Sequence, residues 1–306
     1  MDPSTGFDVL PMAEDEPGHV PASAAFDRIA YVLRRLARDH KTAIVSAVVI
    51  VLFVLGAVFA PVLTPYDYND INLSQRLSPP SLEHLFGTDE GGRDILTRML
   101  YGSRVSLIIG VVPTLLSIAA GTLIGMVAGY VGGKVDTVIM RVADVVMSFP
   151  SMLLAMVVMY TLGDGTINVF FTMVLVGWAG IARVVRSETL KLKEREYVEA
   201  ARIMGVRPTR IMLRHLLPNC LPTIIVLFTL EVPSSILTES GLSFLGMGVQ
   251  PPNASWGLMV SAGRVFLYHA PWLCFAPCLA IMVIVLAFNY LGDGLRDVLD
   301  PHLQSQ

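Results

Sequence analysis

Three kinds of side chain in this sequence could do chemistry, and they lie in different surroundings. Asp144, Glu231 and Glu239 are carboxylates set within apolar runs, where a charge needs a partner, water or an enclosing protein wall. Residues 197–219 are the reverse case, a polar and basic stretch between apolar runs. The thiols are Cys220, Cys274 and Cys278. Cys274 and Cys278 stand one helical turn apart in an apolar run, with no His or carboxylate at ligand spacing. They read as small buried residues, and no metal is expected. Gly133-Lys134 has the outline of a phosphate loop. Val135 stands where Ser or Thr is required and Ala128 replaces the first Gly, so no nucleotide site follows. Neither HExxH nor GxSxG occurs, and no carboxylate pair has catalytic spacing, which leaves no basis for an enzyme of those classes.

The elements that must carry these residues are membrane helices. The chain has 306 residues, 54% of them hydrophobic and only 15% charged, against about 25% charged in a typical soluble domain. Uncharged apolar runs cover residues 43–63, 105–130 and 270–291, each reaching the ~20 residues that cross a hydrocarbon core. A third span is predicted over residues 135–162, kinked at Ser148-Phe149-Pro150. Arg141 and Asp144 fall on one face of it as a structural ion pair. A shorter span follows over 167–182. The fifth begins at Leu221, and Glu231, Pro233 and Glu239 interrupt it. Those three, with Asp144, are the candidates for a pathway or gate: a bend lining an enclosed, hydrated space would tolerate them, whereas a straight lipid-facing helix would not. Gly121, Gly125 and Gly129 recur every four residues, which makes a face for close helix packing on this chain or on a second one. Before the second span, Gly87, Gly91 and Gly92 mark turns and residues 94–100 suit a short amphipathic helix. Trp256 and Trp272 are expected at the membrane interface.

Residues 197–219 read as helix, tight turn, helix. Glu199-Ala200-Ala201 lie in a helix-forming segment, and Gly205 suits its left-handed C-cap. Pro208 suits the first turn of the second helix, and Pro218 marks the entry to the next apolar run. The two alanines leave a flat face that could sit in a partner's groove, with Glu199 placed for a charge-assisted contact. Of the 22 Lys and Arg, only Arg76, Arg93, Arg98, Arg104 and Arg264 fall on one side of a six-span arrangement. The positive excess assigns both termini and residues 197–219 to the cytoplasm. Residues 1–25 are rich in Pro, Ala and acidic residues and read as a disordered tail without signal-peptide character. Residues 26–41 are basic and could lie among headgroups with Ile29, Leu33 and Leu36 facing lipid.

The pattern Glu199-Ala200-Ala201, Gly205, Leu217-Pro218 resembles the EAA motif of binding-protein-dependent ABC importer permeases, with His215 where an aliphatic residue is usual. Phe86-Gly87-Thr88-Asp89, Gly92-Arg93-Asp94, Tyr101-Gly102-Ser103-Arg104, the block at residues 239–257 and Gly292-Asp293-Gly294 resemble the C-type permeases of dipeptide and oligopeptide importers. The likeness covers residues 28–302. It implies an all-α polytopic protein of six spans with the type I importer fold, in a bacterial cytoplasmic membrane. The permease core would occupy residues 105–300, with residues 26–104 before it. Tyr197, Glu199, Ala200, Ala201, Arg202 and Gly205 would belong to the coupling helix that docks on an ATPase. The implied partners are a second, B-type permease, two ATPase subunits of D- and F-type that hold the ATP and magnesium, an extracytoplasmic binding protein and a peptide. Nucleic acid is not among them, and no cofactor is expected on this chain. Nickel chelates, glutathione and antimicrobial peptides are alternative cargoes of the same family. An ion-coupled secondary transporter is the other class; it would leave the Glu-Ala-Ala segment without a role.

Overall fold

A computed structural model of the protein describes Leu36 and residues 40–299. The tail expected over residues 1–25 lies outside them, as does most of the basic segment that follows. Helices α1 (Lys41–Val58) and α2 (Ala60–Leu63) form the first apolar run. Their break has a local cause. Pro61 has no N–H for the Ala57 carbonyl, and Arg104 supplies the missing donor: its Nε bonds Ala57 O, and its Nη2 reaches Val58 O at 2.9 Å.

Helix α3 (Ile95–Val131) starts at Asp94, whose carboxylate accepts from the Thr97 N–H at 2.7 Å. The separate amphipathic helix expected at 94–100 does not exist; it is the first part of this 37-residue helix, about 55 Å long. Gly102 lies within it, facing Ala254 and Ser255. Ahead of α3 the long connection is folded rather than slack. Asp89 accepts from the N–H of Gly91 and Arg93 and from Arg93 Nε, while His84 bonds Asp94 at 2.9 Å. Gly92 has φ +71°, and a side chain there would run into the Asn72 carbonyl.

Helices α4 (Gly133–Met147) and α5 (Ser151–Leu162) meet at 90° across Ser148-Phe149-Pro150, a far sharper turn than a kink. The residue before a proline avoids the helical region, and Pro150 cannot donate, so the ladder ends there. Helix α6 (Thr166–Leu192) runs past the expected end at 182, because Arg183, Arg186 and Lys191 leave the apolar layer without breaking the helix. Next come α7 (Glu196–Ile203) and α8 (Pro208–Phe244), then α9 (Trp256–Gly263) and α10 (Trp272–Leu299). Five helices are long and apolar enough to span a bilayer, and α4 with α5 makes a sixth span if the bent pair is counted as one. The described residues contain no strand.

Helices α3 and α6 share the most extensive interface. Gly121, Gly125 and Gly129 form its seam. A Cβ at Gly121 would come 2.8 Å from the Ile181 side chain; one at Gly125 would collide with the Ala182 carbonyl; one at Gly129 would meet Arg186 O at 2.9 Å. Of the two packing partners left open by the sequence, the seam faces a helix of the same chain. A second core joins α3, α8, α9 and α10 through Val232, Ile236, Trp256, Ile284 and Phe288. Trp256 is not at the interface as expected. It is 1% exposed, its indole N–H bonds Met99 O at 3.2 Å, and Phe53 packs edge-on against it. Trp272 is partly buried beside Gly87. Leu36, expected to face lipid, packs instead on Val298 and Ala43. The exposed apolar residues Val45, Val48 and Leu52 of α1 and Leu115, Leu116 and Leu123 of α3 are the lipid-facing kind.

Candidate functional site

Two places gather the residues with chemical potential. The first is α7 and the turn after it. Gly205, at φ +74°, ends α7 in a Schellman motif: Val206 N–H bonds Ala201 O at 3.1 Å and Gly205 N–H bonds Arg202 O at 3.0 Å. Val206 then joins Ala201 in the apolar cluster below. Pro208 opens α8 at its first turn, as expected. Pro218 stands at the entry to the apolar run, as expected, but ends no helix. The helix passes through it by loosening to a π segment, Met212–Leu216, in which Leu217 N–H reaches Met212 O.

The two alanines divide their roles, contrary to the single flat face read from the sequence. Ala201 is 2% exposed and packs with Val198, Ile211 and Leu216, so its small size lets α7 lie against the foot of α8. Ala200 and Glu199 face outward. Beside them Ile203 and Met204 are 81% and 75% exposed, an apolar tip that the sequence reading passed over. The signal was available: two apolar residues next to a C-cap glycine in an otherwise polar stretch. Tyr197 stands 6.5 Å from the ring of His215, the position that departs from the motif. Arg202 lies over the Tyr130 ring at 5.7 Å, and Lys193 Nζ donates to Gly129 O at 3.0 Å. Both contacts fasten the α7 region to the end of α3. The Arg186–Asp136 pair ties α6 to α4 at the same level.

The second place is a cavity of about 340 Å³ bounded by the α4–α5 bend, α6 and α8. Glu231 lines it. Asp144, Pro233 and Glu239 do not. Asp144 pairs with Arg141 on its own helix at 3.9 Å, as expected, and more closely with Arg183 of α6 at 2.6 Å, so the same-helix pair is joined by a tighter one between helices. Both partners are about half exposed, and such a pair adds little stability. Pro233 is buried in a helix that continues through it. Glu239 is wholly buried. Its Oε1 accepts from Ser243 Oγ at 2.7 Å and Ser255 Oγ at 2.9 Å. Ser243 in turn accepts from Val249 N–H, and Ser255 caps α9 by accepting from Leu258 N–H. One carboxyl group thus fastens the segment after α8, and the start of α9, to α8 itself.

A chain carrying Glu239→Ala is therefore expected to unfold several degrees lower in detergent, because stranded buried hydroxyls cost about 1–3 kcal/mol. Glu239→Gln should lose less, since its amide oxygen can still accept. An unfolding temperature unchanged by Glu239→Ala would remove this role.

The spans, the bent pair and the polar helix-turn-helix between α6 and α8 define a class: a multi-pass helical permease. A family model described as the binding-protein-dependent transport system inner membrane component matches residues 121–305, and one for the N-terminal TM domain of oligopeptide transport permease C matches residues 29–80. The chain belongs to this family of inner-membrane transport components. The oligopeptide transport system permease protein OppC of Bacillus subtilis (strain 168) is 42% identical, the match covering 87% of this chain and 88% of that one. The dipeptide transport system permease protein DppC of Alkalihalophilus pseudofirmus is 43% identical over 88% of each. Among solved structures, a chain of the inward-facing MetNI methionine ABC transporter superposes with a TM-score of 0.55 at 16% identity, covering 66% of this chain and 96% of that chain. This places the fold with the type I importer permeases.

Proposed function

We propose that this chain is one of two permease subunits of an ATP-driven peptide importer in the bacterial cytoplasmic membrane. The observation that carries the reading is α7, a short helix fixed by its inner face to α3 and α8 while Glu199, Ala200, Ile203 and Met204 face outward. A cleft on an ATPase subunit would receive that outer face. The relatives, named for oligopeptides and dipeptides, support the cargo. The other components are a second, B-type permease, two ATPases that hold ATP and magnesium, and an extracytoplasmic binding protein that delivers the peptide. Residues 105–300 form the permease core in this reading, and both termini are cytoplasmic, as the positive excess argues. Closure of the ATPases on ATP would move α7, and the spans attached to it would turn the cavity from one side of the membrane to the other.

The assembled complex in proteoliposomes tests this. Uptake of a labelled tripeptide should need ATP inside and loaded binding protein outside, and it should survive a proton uncoupler. A membrane-impermeant maleimide should label a Val206→Cys chain only from the ATP side. Uptake that ignores ATP and collapses with the uncoupler would indicate an ion-coupled carrier instead, and labelling from the opposite side would reverse the orientation.

A further inference from the structure

The cavity at the α4–α5 bend has an asymmetric lining that the proposed function does not by itself explain. Glu231, Ser234, Ser235 and Thr238 of α8 fall at i, i+3, i+4 and i+7, on one helical face turned to it. Neighbouring Val232 and Ile236 turn into the core. Glu231 lies ten residues past Leu221, about 15 Å along the helix and so near the middle of a ~30 Å hydrocarbon layer. Among the described residues no hydrogen bond or ion pair meets its carboxylate, and no Lys or Arg lines the cavity.

The hydroxyl protons beside it are already directed elsewhere. Thr238 donates to Ser234 O at 2.8 Å, and Ser234 donates to Leu230 O at 3.5 Å. Thr114 donates to Gly110 O at 2.6 Å, which leaves Ser235 as the donor in the 2.8 Å Ser235–Thr114 bond. What α8 turns to the cavity is therefore a carboxylate and oxygen lone pairs, while Ser151 at the start of α5 brings a hydroxyl to the opposite side. Gly180 of α6, where a Cβ would meet nothing within 4 Å, keeps the opposite wall low, and Phe149 at the bend offers an aromatic face. An unpaired carboxylate at this depth is costly unless something cationic or water meets it.

We propose that this face of α8 is a transit subsite for a cationic group of the cargo, an ammonium or guanidinium, with Glu231 as its charge partner. This rests on the chain being a peptide permease. The peptide can bring that cation from its N-terminus or from a side chain.

The test is uptake by the reconstituted complex of Ala-Lys-Ala and Ala-Gln-Ala, each at equal occupancy of the binding protein. The wild type, Glu231→Gln and Glu231→Asp are compared, with complex yield and basal ATPase rate recorded. Loss of one charge-assisted contact predicts about a tenfold fall with Gln and substantial retention with Asp. A fall confined to Ala-Lys-Ala assigns the side chain as the source. A fall in both peptides, at normal yield and basal rate, assigns the N-terminal ammonium. Unchanged uptake of both by Glu231→Gln overturns the subsite. Loss of assembled complex in Glu231→Gln also overturns it, by showing that Glu231 pairs with the second permease instead. A wild-type complex that takes up neither peptide would fail the peptide-permease reading itself.

Discussion

A chain carrying Ile203→Asp with Met204→Asp should reach the membrane at normal abundance and fail to retain its ATPase. Both residues are three-quarters exposed or more, so the change leaves the chain's own packing intact. In a docked complex their apolar tips would be desolvated, and a buried unpaired charge at an interface costs about 3–5 kcal/mol, which is about two to four orders of magnitude in affinity. Copurification of the ATPase, and hydrolysis with and without loaded binding protein, measure the outcome. Gly205→Val should act by another route. A β-branched residue at φ +74° costs about 1–2 kcal/mol, so the Schellman turn shifts and α7 is misdirected while its outer face stays chemically intact. The expected result there is a retained ATPase that no longer responds to loaded binding protein. Wild-type copurification by the double Asp chain and wild-type stimulation by the Val chain would together remove the coupling role from α7.

The second large effect concerns the α3–α6 seam. Gly125→Leu puts a branched side chain where the Ala182 backbone already lies, and backbone cannot rotate out of the way as a side-chain end can. Overpacking a tight core costs about 1–3 kcal/mol where it can relax. Here two long helices must separate, so the chain should express poorly and unfold well below the wild type in detergent. Gly180→Leu is the control: a Cβ there meets nothing within 4 Å, and that chain should keep its stability. Equal unfolding temperatures for Gly125→Leu and the wild type would show that the seam is loose.

The sequence was most informative where one residue type answers to one physical demand. Gly205 could serve as a left-handed cap, the run Gly121, Gly125 and Gly129 required a close neighbour, and Ser148-Phe149-Pro150 marked a bend, though not its 90° extent. It was least informative where a residue has two acceptable surroundings. A carboxylate in an apolar run tolerates a cavity or a polar pocket within the protein. Glu231 and Glu239 look alike in sequence, each with a serine four residues on, yet only Glu239 meets a second serine, Ser255, brought in from the start of α9. The Arg141–Asp144 spacing was real, but a partner from α6, distant in sequence, lies closer. Trp256 followed the same logic: its preference for an interface yielded to a carbonyl at Met99 and a ring at Phe53. The break at Pro61 was visible, while the role of Arg104 in filling it depended on where α3 comes to lie.

The π segment at Met212–Leu216 sets a rotational phase. A π turn is an α-helix with one residue too many, so everything beyond it is turned by about 100° from where an unbroken helix would put it. Upstream of the segment, Ile211 is locked against α7. Downstream, the same helix aims Val232 and Ile236 at the core and Glu231 at the cavity. The angular offset between the docking end and the lining of the cavity is therefore held in a single surplus residue. Shortening the segment by one would straighten the ladder and swing Glu231 away from the cavity, with no change to any residue that lines it.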